Sequence, residues 1–455
     1  MTTSHAIMAL SIVWNEGIDK TCRPGSLLSG DVRLLAAKQQ PLGQVAITFA
    51  GRCKVRIERS NGQSTTYYYS KGYYFRQRQQ LHEGDFTFQA GTYRWPFRFI
   101  MPACADRGLI QSQNGKGDMF EPVVPWRGTN TEELHLLPPS FNGPRRCSVE
   151  YYLKAEMTPP RSSSSLFSRS LEDKVMLNFR PLGLAPSLDQ TFRNSKRRFS
   201  IRTLKLLPED SEERHSFRHR LKGVFQSSSL PELNLQVEVS IPRRVAATPG
   251  TPFPCLVSVS HCATVAEDTR QVPQSSVQIR RFELELRSHT EARTRYHKDH
   301  KREKIALGAG SGTAIRIQNV DHTYEKTKSA YGTDQGGAIV TTDLASMHGV
   351  RIPSGVTSDF STYNIAHYHT FELKLRLECA GEGMNFDMSD LQVEVIPEVA
   401  SQDPPTWEQS YGNGGMLIEG NSDMVSPPSY THKDELQSSS NPEDNPEPYS
   451  IGDWE

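Results

Sequence analysis

Four constellations in this sequence have residue types and spacings that could do chemistry. His297 and His300 stand three apart, and His367 and His369 flank Tyr368. The first pair lies among four cations (Lys298, Lys301, Arg302, Lys304), which repel a divalent ion. The second pair shares one face if the segment is a strand, but it has no third ligand nearby. No metal site is expected from either. The run Gly308-Ala309-Gly310-Ser311-Gly312 follows a basic polar stretch instead of a strand leading into a helix, so it reads as a flexible loop and not as a phosphate cradle. Gly-x-x-x-x-Gly-Lys-Ser/Thr, His-Glu-x-x-His and Gly-x-Ser-x-Gly do not occur. The sequence therefore predicts no catalytic residues, no cofactor and no enzymatic activity.

The fourth constellation is Pro427-Pro428-Ser429-Tyr430. Pro-Pro-x-Tyr is the ligand of WW domains: the prolines are held near polyproline II geometry and lie on aromatic rings, and the tyrosine enters a neighbouring pocket. With 29 Pro and 16 Tyr in 455 residues, about 0.06 chance matches are expected. Pro446-Glu447-Pro448-Tyr449 lacks the adjacent proline pair and is the weaker ligand.

The elements that must position these groups are strands. Apolar residues recur with period two at Val45, Ile47, Phe49; at Val149, Tyr151, Leu153, Ala155, Met157; and at Leu233, Leu235, Val237, Val239, Ile241. The pattern returns at Phe282, Leu284, Leu286, at Phe371, Leu373, Leu375, Leu377 and at Leu391, Val393, Val395. Such alternation puts one side of a strand in a core and the other in water, as in antiparallel sandwiches. The expected fold class is all-β, with two antiparallel immunoglobulin-like β-sandwich domains and a disordered tail. The first sandwich is assigned to residues 1–183 and the second to 231–398, with a basic linker or loop at 184–230. Within it, residues 191–222 carry ten Lys/Arg against four acids. Residues 161–170 are Ser-rich and read as an exposed loop. The tail, 399–455, has eleven acids, one base and too few large apolar residues to offset the entropy of ordering its backbone.

The remaining composition narrows the classes. Lys+Arg and Asp+Glu both total 52, so no global basic field attracts nucleic acid. Seven scattered cysteines, none in a Cys-x-x-Cys pair, predict buried free thiols in a reducing cytoplasm. No run of eighteen apolar residues is found, the residues from Met1 to Glu16 are not expected to act as a secretory leader, and no Asn-x-Ser/Thr sequon occurs.

The segment Gly91-Thr92-Tyr93-Arg94-Trp95-Pro96-Phe97-Arg98-Phe99-Ile100-Met101-Pro102 resembles the hallmark of the arrestin N-terminal domain. Gly30-Asp31-Val32, the run from Val45 to Val55 and the run from Val149 to Ala155 are similar to that domain's early and late strands. Leu233 to Arg243, Ile279 to Arg287 and Leu391 to Pro397 match the C-terminal domain more loosely. With Pro427, Pro428 and Tyr430 added, the chain resembles the α-arrestins. That resemblance implies an adaptor that links membrane protein cargo to a WW-domain HECT ubiquitin ligase, promoting cargo ubiquitination, endocytosis and transport. It implies a cytoplasmic protein recruited peripherally to plasma membrane or endosomes. The buried polar core and clathrin-binding tail of visual and β-arrestins find no residue-by-residue match.

Two surfaces are candidates for cargo or lipid contact. Tyr67, Tyr68 and Tyr69 lie in residues 60–72, between two strands, and form either a receptor-facing loop or a strand with one face buried. Lys298 and Lys301 belong to the basic stretch 293–304, which either approaches an anionic membrane surface or is a solvated loop. Two other classes stay open: an arrestin-fold trafficking scaffold of retromer type, which needs no ligase motif, and a lectin-like sandwich, which needs concave aromatic and carboxylate clusters.

Overall fold

Alternation is carried through almost every long element of the computed structural model, which describes residues 8–15, 20–84, 86–113, 136–158, 170–181, 191–206, 231–262, 276–319 and 341–398. The chain divides into two units, Met1–Gln402 and Asp403–Glu455, and all described residues belong to the first. Long strands of the first half are β1 (Met8–Trp14), β2 (Leu27–Ala36), β3 (Val45–Ser60), β4 (Thr65–His82), β5 (Gly91–Ile100), β6 (Ser148–Met157) and β7 (Leu171–Phe179). Those of the second are β8 (Phe192–Arg202), β9 (Glu232–Pro242), β10 (Leu256–His261), β11 (Ser276–Arg293), β12 (Lys298–Gly310), β13 (Ile365–Cys379) and β14 (Glu382–Ile396). The described helices are short, such as Arg107–Gln113 and Leu344–His348. The protein is almost entirely β, built of packed sheets.

In the first half, β1, β2 and β5 form one antiparallel sheet, and β7, β6, β3 and β4 run in that order through a second. Leu10, Ile12, Val32, Leu34, Phe97 and Phe99 from the first sheet meet Val45, Ile47, Phe49, Tyr151 and Leu153 from the second in one apolar cluster. In the second half, β8, β9 and β10 make one sheet and β14, β13, β11 and β12 another. Leu235, Val237, Val239 and Ile241 close a second cluster against Phe282, Leu284, Leu286, Phe371 and Leu373. Each of these side chains is removed from water, and burying one is worth roughly 1.5–3 kcal/mol.

Two segments differ from the sequence expectation. Phe192–Arg202, inside the stretch 184–230 expected as basic linker or loop, is strand β8, paired with β9 from Phe192 opposite Pro242 to Arg202 opposite Glu232. Its cations lie on an exposed edge and two find partners on β9: Lys196 with Glu238 at 3.3 Å and Arg202 with Glu232 at 2.9 Å. Ile201 alone is fully buried, so little apolar periodicity marks the strand. Gly308 and Gly310, expected in a loop, sit in β12. A Cβ on Gly310 would come within 2.7 Å of Phe282 and 2.6 Å of His348, and one on Gly308 within 2.9 Å of Val350. The glycines let helix Leu344–His348 and the residues after it lie close on the strand.

Five of the seven cysteines are buried and all seven are free. Burial pushes the thiols of Cys22, Cys53, Cys147 and Cys255 up to about 12, so they stay protonated. Gly51 marks a close crossing of two rings in the first core. It lies opposite Phe75 on one side and Tyr151 on the other, and a Cβ there would meet both rings at 2.7 Å. Gly51→Ala is expected to cost about 1–3 kcal/mol through overpacking, read as a lower urea midpoint at unchanged slope.

Candidate functional site

Strands β11 and β13, 18 and 15 residues long, reach both apolar clusters along a single face. On β11 the inward positions are Phe282, Leu284 and Leu286 in the second cluster, then Ser288 and Thr290, then Ala292 in the first. On β13 they are Leu375, Leu373 and Phe371, then His369 and His367, then Ile365. Cross-strand register pairs Ser288 with His369, Thr290 with His367 and Ala292 with Ile365. A polar belt thus separates two cores that share strands. His367 and His369 do share a face, as alternation requires.

Burial sets the chemistry of the belt. His367 Nδ1 lies 3.1 Å from Thr290 Oγ1, and His369 Nδ1 lies 2.6 Å from Asp359 Oδ1. Loss of water, with repulsion from His369, pulls His367 down to about 3, and burial pulls His369 down to about 4. Burial also pushes the Asp359 carboxyl well above the usual carboxylate range. Both directions say the same of this close pair: it resists net charge. A cavity of about 280 Å³ lies over the belt, lined among others by Phe141, Pro144, Ser288, Glu303, Val356 and His369.

One turn ties the cores together. Tyr363 belongs to the first cluster although it lies between two strands of the second half, and only 1% of it is exposed. Asn364 Nδ2 donates to Ser70 Oγ at 3.3 Å, and Arg293 Nε donates to the Tyr363 carbonyl at 2.5 Å. Desolvation pulls the Arg293 guanidinium below its ordinary value.

The two surfaces singled out in the sequence meet at this seam. Tyr67, Tyr68 and Tyr69 lie on β4, as a strand and not a loop. The Tyr68 ring rests on His297 with centroids 3.7 Å apart, and Arg59 on β3 donates to the Lys298 carbonyl. Arg56 covers the Tyr67 ring at 4.4 Å. Lys298 and Lys301 lie on β12, where Lys301 pairs with Glu303 at 3.0 Å. Tyr296, at the β11–β12 turn, is 76% exposed with Arg295 over its ring at 5.1 Å. The result is an aromatic and cationic rim made from both halves. Pro427, Pro428 and Tyr430, with the whole stretch 399–455, lie outside the described residues.

Sequence reasoning missed a charge cluster on the outer face of the first half. Arg52, with its side chain 4% exposed, donates through Nε to Glu150 Oε2 at 3.0 Å, with Lys54 at 3.4 Å and Lys174 at 3.9 Å. Burial alone would raise the Glu150 carboxyl; Arg52, Lys54 and Lys174 outweigh it and hold Glu150 below its ordinary range. The Tyr152 ring sits under both Arg52 (4.9 Å) and Lys174 (4.4 Å). The available signal was Arg52 and Lys54 spaced by two within an apolar strand.

Among the described residues, no three or more His, Cys, Asp or Glu side chains gather as a metal site, and no helix is long and apolar enough to cross a membrane. No protein-family model matches the chain, and no curated protein matches it either. Function is therefore argued from the residues themselves. If the turn locks the cores as described, Tyr363→Ala removes a buried aromatic from the first core and costs about 3–5 kcal/mol. Thermal unfolding should show that loss as a lower midpoint, and a surface-like cost under about 0.5 kcal/mol would contradict the packing.

Proposed function

We propose that this chain is a non-catalytic adaptor of α-arrestin type. It would join membrane protein cargo to a WW-domain HECT ubiquitin ligase and so promote cargo ubiquitination and endocytosis. The observation that carries the reading is Pro427-Pro428-Ser429-Tyr430, placed in a stretch whose acidic, apolar-poor composition disfavours a packed core. The finer architecture belongs to the same reading: two arrestin-type sandwiches, 1–183 and 231–398, followed by an acidic, disordered tail. The two apolar clusters, the sheets that enclose them and the Gly91 to Pro102 strand segment support it.

An adaptor needs a firm body and a ligand that searches. In the body, the shared strands and the Tyr363 turn hold the seam in fixed geometry, so its rim presents Tyr67, Tyr296, Lys298 and Lys301 as one surface. Tyrosines offer wide contact at low entropic cost, and each well-placed cation adds roughly 1 kcal/mol near an anionic leaflet. This is the surface assigned to cargo and to peripheral binding at plasma membrane or endosome. In the tail, a four-residue contact is weak, on the order of 10–100 μM. Useful residence comes from several WW domains and from a membrane that gathers both partners.

Two measurements test the assignment. A labelled peptide covering residues 420–440, titrated with a tandem WW protein, should bind in that range, and Tyr430→Ala should weaken it at least about thirtyfold, as for a buried aromatic anchor. Unchanged affinity would refute ligase recruitment; a pull-down that returns a coat complex and no WW protein would favour the retromer-like scaffold. The rim is tested separately with liposomes: binding should rise with phosphatidylserine and fall in Lys298→Glu/Lys301→Glu, and binding indifferent to both removes the lipid role.

A further inference from the structure

The polar belt is an unusual place to spend buried histidines, because the same inward face is apolar on both sides of it. His367 is clamped by one ring from each half: Phe141 at 4.9 Å and Phe360 at 5.7 Å, with the two phenyl rings 5.2 Å apart. His369 meets His367 edge-on at 4.9 Å. Above them, the segment that carries Phe141 is anchored at its start, where Ser140 Oγ donates to the Leu177 carbonyl at 3.2 Å and accepts from the Phe179 N–H at 2.8 Å, and is tied beyond that by few backbone bonds. Phe141 and Asn142 pair with β6 over two residues, Gly143 N–H donates to the Cys147 carbonyl at 2.8 Å, and Ser140 N–H donates to the Phe179 carbonyl at 2.9 Å. Beneath this segment lies the 280 Å³ cavity. Few backbone bonds over a cavity mark the low-stability end of a fold.

We propose that residues 140–147 form an acid-operated flap: protonation of His367, seconded by His369, drives the Phe141 ring off the belt and exposes the imidazole to water, while the Tyr363 turn keeps the two cores joined. The charged and titratable groups around the lever are few. From β12, Glu303 favours the protonated ring; from β13, His369 opposes it; His289, behind on β11, opposes it too. Asp359 holds the far side of His369, with Glu394 of β14 near it. On the other face of the sheet, His289 contacts His300 and Thr370 and feels Arg302 and Asp390. Among the described residues, the His367 ring hydrogen-bonds the Thr290 hydroxyl and no carboxylate.

The sign follows from linkage. His367 is lowered from an ordinary 6.5 to about 3 in the closed flap, so the closed form is fully stable above pH 6.5 and loses stability as pH falls below it. At pH 5 one such histidine, released to water on opening, shifts the opening equilibrium about thirtyfold relative to pH 7.5. The device is independent of the adaptor reading and survives its failure.

Hydrogen exchange on the full chain, read by mass spectrometry and scaled to the intrinsic rate at each pH, tests it. Peptides covering 140–147 should lose protection about thirtyfold between pH 7.5 and pH 5, while peptides covering 45–51 and 371–377 hold theirs. In wild type the opening constant should rise up to about tenfold per pH unit below 6.5; a flat profile, or equal loss in the reference strands, overturns the proposal. His367→Asn keeps a polar group towards Thr290 and cannot titrate. It should remove most of the pH response of the flap, leaving at most the smaller share of His369, and persistence of the full response in a variant whose reference strands stay protected at pH 7.5 also overturns it.

Discussion

The architecture depends on a constraint of strand geometry: side chains alternate, so beyond the bulge after Ile279 one face of β11 stays inward from Phe282 to Ala292. Eighteen residues of β11 at about 3.4 Å each extend roughly 60 Å, longer than one sandwich needs. The strand therefore leaves the second core with the same face still inward and arrives in the first. Ala292, Ile365 and Tyr363 are the evidence of that arrival. Neither core can rotate against the other without pulling these residues out, which is why the seam has a defined surface at all.

Charge is handled differently on the two sides of each sheet. Outside, cations are placed beside carboxylates or over rings, as with Arg52, Lys54 and Lys174 around Glu150 and Tyr152. Such clusters tolerate partial burial because each charge keeps a partner. Inside, burial disfavours charge on the belt: His367 meets the Thr290 hydroxyl and His369 meets the Asp359 carboxyl, while His369 Nε2 has no partner among the described residues. The interior can therefore be polar at the seam and still dry elsewhere.

How much of this was legible follows from which faces are buried. Strands with one wet and one dry face announce themselves, as at Leu233 to Ile241, where burial alternates residue by residue, or at Val149 to Met157, where only Tyr152 interrupts it. Edge strand β8 does not, because Lys196 and Arg198 face water and Arg193 and Arg197 share the face of Phe199 and Ile201, which leaves little apolar periodicity. Tyr67 to Tyr69 were ambiguous since aromatic residues satisfy both loop and strand statistics. That His367 and His369 share a face was legible; that Phe141, over two hundred residues earlier, closes on them was not, since no local pattern encodes a contact of that separation. The Pro-Pro-x-Tyr motif is legible in full because its recognition needs no fold.

The charged edges have a consequence for crowding. An outer strand with open backbone groups is a template on which another chain can zip. Among the described residues, two such strands, β8 and β12, carry Arg193, Lys196, Arg197 and Arg198 on one and Lys298, Lys301, Arg302 and Lys304 on the other. When copies of this chain approach edge to edge, like charges meet before hydrogen bonds can form. High local density, which would nucleate fibrils from a bare apolar edge, is opposed here by Coulomb repulsion, and that protection weakens as ionic strength rises.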